Sequence, residues 1–328
     1  MASGKIFSDT LLRLRELKQI KDEGGFNSIP FGLPSLDRHT VGIMPGMMYQ
    51  ITANSGVGKS QLTKFLAIIQ PYKFVKAHPE LGIKLKIIWF ALEESKEEFM
   101  LGLISNRLKD IYKISVSVLE LQSMGERTIS IEILNKIEEC REYFEELEES
   151  LEIVDNVSNP YGVYKHVRNY SMEHGTHYYR KLRNEDSSVI ITFQEYSNLS
   201  EREKELYCYS HYVTNDSKTF VIIVTDHLSL LSAEKNEDSN TQHKAMGKWS
   251  ADYCRKQISK NYKYCIFNVQ QQESAKEKLE FNYSGENIVQ KLLPSLDGLA
   301  NNKETQRDFG YKVAYFKLFI YFCKNNLK

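Results

Sequence analysis

The chain has 328 residues, 41% hydrophobic and 26% charged, which is enough apolar material for one large folded domain or two small ones. Lys plus Arg and Asp plus Glu both number 43, so bulk charge does not draw the chain to nucleic acid, and any such contact must come from a local patch. The five cysteines stand singly with no CxxC pair, which argues against a zinc site or a disulfide framework and for reduced thiols in a cytoplasmic protein. No signal-peptide core is visible, and no apolar run reaches the roughly 18 residues of a membrane span.

Residues 8–23 predict one amphipathic helix. Ser8 or Asp9 can cap it, Leu11, Leu14 and Leu17 form its stripe, and Gly24 and Gly25 end it. Such a stripe must be buried, either on its own domain or on a neighbouring subunit. A turn-rich stretch, IPFGLPSLDRHTVGIMPG, follows.

From Met47 onward short apolar strands alternate with helices. MMYQITA is a strand and SQLTKFLAIIQ a helix. KLKIIWFAL is a strand and ESKEEFMLGLISNRL a helix. Residues 129–151 predict a further single helix, followed by the strand LEIVD. TFVIIVTDHLSLL is the most apolar strand, KAMGKWSADYCRKQISKN a helix, and YCIFNVQ a strand. Strands apolar on both faces and separated by helices imply an α/β fold, with a mostly parallel sheet covered by helices on both faces. Residues 156–218 are too long for an ordinary crossover and carry four of the eight histidines, so an insertion is expected at about 178–217, with SEREKELYCYSHYV as a local helix.

The strand MMYQITA runs into Ala53, Asn54, Ser55, Gly56, Val57, Gly58, Lys59, Ser60 and Gln61. This fits P-loop spacing, with Ala53 where the first glycine often sits. Small residues let backbone N–H groups wrap a triphosphate, and the helix that begins there points its positive end at it. Lys59 would reach the β- and γ-phosphates of ATP, and the Ser60 hydroxyl would ligate Mg²⁺. Asp226 closes VIIVTD in the Walker-B manner and is the second Mg²⁺ ligand expected. Glu93, just past the strand after the P-loop helix, is the candidate general base, with its neighbour Glu94 as competitor. Gln270 closes CIFNVQ and is the candidate sensor of the γ-phosphate, although Gln271 and Gln272 leave the register open.

This set resembles the RecA-like ATPases, and among them the DnaB-family replicative helicases. WFALEES is similar to that family's Ser-Leu-Glu-Met-Ser strand end, VIIVTDHLSLL to its Walker-B strand, CIFNVQ to its Leu-Ser-Gln strand and ETQRDFGYKV to its Gln-Asp-Ala-Asp strand opening. The resemblance spans about residues 28–315. It implies an ATP-hydrolysing ring, a homo-hexamer that translocates on single-stranded DNA, with a primase or a helicase loader as possible partners. It also implies a linker helix in residues 1–27, docked on the next subunit, and an ATPase domain over 28–328. The family's primase-binding domain and its Lys-x-Arg-x-Gly arginine-finger element are not matched, and Arg307 or Lys317 is the expected substitute. Channel loops would follow the Asp226 and Gln270 strands, with Lys235, Lys244, Lys276 and Lys278 as candidate phosphate contacts. A RecA-like recombinase or loader, and a catalytically weak ATP-binding scaffold of replication, are the competing readings.

Overall fold

The computed structural model describes residues 5–23, 26–53, 58–182, 189–233, 242–271, 311–316 and 319–324. The chain forms two compact units, Met1–Met44 and Pro45–Lys328.

In the first unit, α1 (Lys5–Asp22) begins one turn before the expected cap. It ends near Asn27, whose side-chain amide donates to the Leu17 carbonyl at 2.9 Å. Leu12 and Leu14 remain 59% and 57% exposed, so the stripe is not buried within this chain. Beyond it, Ile29 and Ile43 exchange backbone hydrogen bonds of 3.0 and 2.7 Å around the short helix α2 (Pro34–Asp37). The Phe31 N–H donates to Asp37 at 2.7 Å. This closure depends on Gly42, at φ +74°, where a Cβ would lie 2.6 Å from the Ile29 carbonyl oxygen.

The second unit is built on β1 (Met48–Ala53), β2 (Lys84–Ala91), β3 (Leu151–Val154), β4 (Gly175–Lys181), β5 (Ile190–Thr192), β6 (Tyr207–Thr214), β7 (Thr219–Asp226), β8 (Cys265–Gln271), β9 (Tyr311–Phe316) and β10 (Phe319–Lys324). Seven of these make the main sheet, in the order β10-β9-β1-β8-β7-β2-β3. All its neighbouring pairs are parallel except the edge pair β10–β9. The predicted α/β class, with a mostly parallel sheet, is therefore the one found.

The helices are α3 (Lys59–Lys64), which runs through a π turn (Phe65–Ile69) into α4 (Gln70–Ala77), then α5 (Lys96–Tyr112), α6 (Val118–Leu121), α7 (Ile131–Glu138), α8 (Arg141–Ser150), α9 (Pro160–Glu173), α10 (Phe193–Ser197), α11 (Glu201–Lys204) and α12 (Gln242–Gly247), which continues as a π-helical stretch over Lys248–Tyr262. Strand alternation divides β2 between the two faces of the sheet. Ile88 and Phe90 pack with Val163, Val167, Trp249 and Ile258 from α9 and the 248–262 helix. Trp89 meets Phe99 of α5 at 4.9 Å on the opposite face. Among the described residues no helix is long and apolar enough to cross a membrane.

Two sequence expectations fail locally. The helix expected over 129–151 is two helices, α7 and α8, broken at Glu139 and Cys140. No Gly or Pro marks the break. It lets α7 turn its isoleucines toward Leu108, Val116 and Leu121 while α8 lays Leu147 near β2 and β3. The stretch SEREKELYCYSHYV is helical only over Glu201–Lys204 and then becomes β6, since its aromatic, alternating half suits a pleated surface better than a helix.

Strands β5-β4-β6 form a separate sheet whose tyrosines pack on the 248–262 helix and the turn after it. The Tyr212 and Tyr264 hydroxyls lie 3.1 Å apart. Gly175 has to be glycine, since a Cβ there would fall 2.4 Å from the Tyr212 ring. His177 is buried in this seam, with its ring centroid 4.9 Å from that of Tyr212 and 5.2 Å from that of Tyr262. The Ser171 hydroxyl donates to the Arg168 carbonyl at 2.7 Å, so at 2.8 Å it accepts from His177 Nε2, which fixes the tautomer.

Burial, with a smaller contribution from the Arg168 charge, pushes the His177 imidazole down to about 4. A histidine in the unfolded chain titrates near 6.5. As pH falls from about 6.5 to about 4, the unfolded chain takes up a proton that the folded one refuses. Stability is therefore expected to drop over that window, by at most about 3 kcal/mol from this group. Urea melts at pH 7.5 and 5.0, compared with those of His177→Gln, check it. The variant should show the smaller pH dependence.

Candidate nucleotide site

All the parallel strands of the main sheet end on one edge, and register brings the candidate residues together there. Ala53 lies opposite Gln271, Thr52 opposite Gln270, and Ala91 opposite Asp226. Asn54, Ser55, Gly56 and Val57 lie outside the described residues. The chain is next described at Gly58, whose φ of +94° sits in the left-handed region that favours glycine. Lys59 and Ser60 then open α3. The Leu62 N–H donates to the Gly58 carbonyl at 3.0 Å, and the Thr63 hydroxyl to that of Lys59 at 2.9 Å, which anchors the first turn. Gln61 accepts from the Asn106 side chain at 2.8 Å and so faces α5.

Asp226 is the last residue of β7 and is buried. Its side chain is hydrogen-bonded to Ser60, and its Oδ1 has no partner among the described residues. Burial pushes its carboxyl up to about 6. The Glu94 charge adds to this, Lys64 and the Ser60 hydrogen bond oppose it, and Glu93 adds a smaller push upward. A buried carboxylate oxygen without a partner, beside a hydroxyl and at the mouth of a phosphate-type turn, is a hard oxygen donor set of the kind Mg²⁺ takes. The residues present fit that ion.

The strand ends at Asp226 because His227 adopts φ +66°, a conformation sparsely populated by non-glycine residues. His227 Nδ1 lies 3.1 Å from Glu93 Oε2. Glu93 is 60% exposed in the turn after β2. The next residue faces the opposite way. Glu94 Oε1 is 2.9 Å from Lys64 Nζ, with side-chain exposures of 24% and 2%. The turn then closes into α5 with a reciprocal cap, in which the Ser95 N–H donates to Glu98 at 3.0 Å and the Glu98 N–H to the Ser95 hydroxyl at 3.3 Å.

Gln270 is buried within β8 and accepts from the Gln50 side-chain amide of β1 at 2.5 Å. Gln271, one residue on, is the partly exposed end of the strand. Lys244 is exposed on α12. Lys235, Lys276, Lys278, Arg307 and Lys317 lie outside the described residues.

Lys64 and His227 were not singled out from the sequence. Lys64 had a signal, because it starts the helical series Lys64, Ala67, Ile68, Pro71 and Tyr72, whose other members are apolar and buried. A lysine on an apolar stripe invites a search for its counter-charge. His227 had none, because nothing local in Asp-His-Leu announces a left-handed residue.

Comparison with solved structures supplies the class. Over 94% of its length the chain matches the isolated ATPase domain of a DnaB-like helicase, covering 82% of that chain with a TM-score of 0.60 and 15% sequence identity. It matches a second DnaB-like replicative helicase, described with its interactions with primase, over 94% of its own length and 56% of that chain, with a TM-score of 0.58 and 17% identity. No family model matches the sequence. No curated protein matches it either. At these identities the likeness defines the fold, and the fold is that of a RecA-like ATPase domain as found in DnaB-like helicases.

Proposed function

We propose that the protein is an ATP-hydrolysing motor of the DnaB helicase type, acting on single-stranded DNA as a ring of identical subunits. The observation that carries this reading is the hydrogen bond between Ser60, beside Lys59 at the head of α3, and buried Asp226 at the end of β7. The likeness to the two helicase structures supports it.

In this reading the turn Ala53 to Gln61 wraps the triphosphate, and Lys59 lies against its β- and γ-phosphates. Ser60 and Asp226 hold Mg²⁺, which when bound neutralises charge developing on the phosphates. Glu93 accepts the proton of the attacking water, with His227 fixing its carboxylate. Gln270 is the sensor residue, and its bond to Gln50 ties the strand that carries it to the strand that carries the phosphate turn. DNA is contacted by the loops that follow β7 and β8, with Lys244 one of the candidate phosphate contacts. A neighbouring subunit supplies the arginine finger, and a primase or helicase loader is the expected partner class.

The test is steady-state hydrolysis of ATP with and without single-stranded DNA, beside equilibrium binding of a fluorescent nucleotide. Stimulation by DNA is expected. Lys59→Ala should weaken nucleotide binding by roughly tenfold to a hundredfold, the value of one charge-assisted contact, while the fold persists. Unchanged hydrolysis in the variant would remove the phosphate-turn assignment.

A further inference from the structure

Lys64 is enclosed almost completely, yet it carries an ammonium group. Its Nζ lies 2.9 Å from Glu94 Oε1, 3.2 Å from Glu94 Oε2 and 4.0 Å from the centroid of the Phe99 ring. The slot exists because α5 carries Gly102 at its wall, where a Cβ would come within 3.0 Å of Nζ. A buried charge costs several kcal/mol unless it is paired, so the lysine, its glutamate and the glycine form one built feature. It joins three elements: the helix after the phosphate turn, the turn after β2, and α5. Both members of the pair act electrostatically on Asp226, with opposite signs.

Three carboxylates, Glu93, Glu94 and Asp226, therefore gather at this edge of the sheet. Left to themselves they would compete for the same cation. We infer that Lys64 is a positioning residue that withdraws Glu94 from the site as a neutral pair, so that Asp226 alone faces the divalent ion and Glu93 alone faces the water. The inference rests on the nucleotide-site reading above and deepens it. It also assigns the two adjacent glutamates opposite tasks on structural grounds. Lys64 and Glu94 touch neither phosphate nor water in this account, and they act through Asp226 and through the position of α3.

The charges can be tested by sign. The full-length protein is loaded with ADP, and Mn²⁺ binding is read by electron paramagnetic resonance in the parent, in Lys64→Met, in Glu94→Gln and in the double variant. Nucleotide affinity in EDTA and the melting temperature are measured alongside. In Glu94→Gln the ammonium is unbalanced and Mn²⁺ binding should weaken. In Lys64→Met the carboxylate is unbalanced and binding should tighten. Each shift is expected to be roughly 3- to 30-fold, the size of a screened charge contact near a protein surface. The double variant should return to within about twofold of the parent, because the two opposite terms cancel.

Metal-free nucleotide affinity should stay within about twofold in all variants, which a general loosening of the fold would not allow. If Lys64→Met fails to fold, the shift in Glu94→Gln and its reversal in the double variant decide the matter. Shifts of the same sign in both single variants, or no reversal, overturn the inference and leave the nucleotide site standing. A parent protein that binds no nucleotide with Mn²⁺ overturns both.

Discussion

Glu93→Gln should bind nucleotide like the parent and hydrolyse it roughly 10²–10⁴ times more slowly, the usual worth of a positioned general base. The expectation follows from what Glu93 does not do. It is 60% exposed and its side chain meets His227 at 3.1 Å outside the packed core, so the amide should leave stability within about 0.5 kcal/mol. Glu94→Gln is the contrasting control. Its amide oxygen can still accept from the buried Lys64 ammonium, but the compensating charge is gone, and a loss of about 1–3 kcal/mol is expected. The pair of variants thus separates a chemical defect without a stability defect from the reverse. Single-turnover hydrolysis and urea melts on both are the measurements. If Glu94→Gln hydrolyses slowly at full stability while Glu93→Gln behaves like the parent, the base lies one residue further on.

The strand ends that make the site were legible because parallel strands buried on both faces are continuous apolar runs, and a charge at the end of such a run stands out. KIIWFALE, VIIVTD and CIFNVQ all read this way, and all end on the same edge of the sheet. What was not legible depends on distant partners. Nothing in IEILNKIEECREYFEEL marks the break at Cys140, which follows from α7 and α8 burying their apolar faces in different places. The tyrosines of residues 161–212, together with His177, read as possible base-stacking groups, yet many fill the seam between the small sheet and the 248–262 helix. The opposite tasks of Glu93 and Glu94 could not be told apart from two adjacent identical letters. They separate only because His227 turns left-handed on one side and Lys64 rises from α3 on the other.

Removing residues 1–24 is expected to leave a folded ATPase domain that binds nucleotide but assembles loosely, with DNA-stimulated hydrolysis largely lost. α1 presents Ile6, Phe7, Leu12 and Leu14 to solvent, and such a stripe is unfavourable in a lone chain. Burying a leucine fully is worth about 1.5–3 kcal/mol, so several on a neighbouring subunit can outweigh the ordering and association costs of joining it. In a ring ATPase of the proposed type the arginine finger comes from the next subunit, and where measured in phosphoryl-transfer enzymes such a finger is worth roughly 10³–10⁵ in rate. Assembly and hydrolysis should therefore fall together, while nucleotide affinity, which draws on the phosphate turn of one chain, should change little. Size-exclusion chromatography with light scattering, run beside an ATPase assay in ATP and Mg²⁺, reads both quantities. A deleted protein that still forms the parent's oligomer at full activity would show that α1 serves its own chain and would leave the subunit contact to be sought elsewhere.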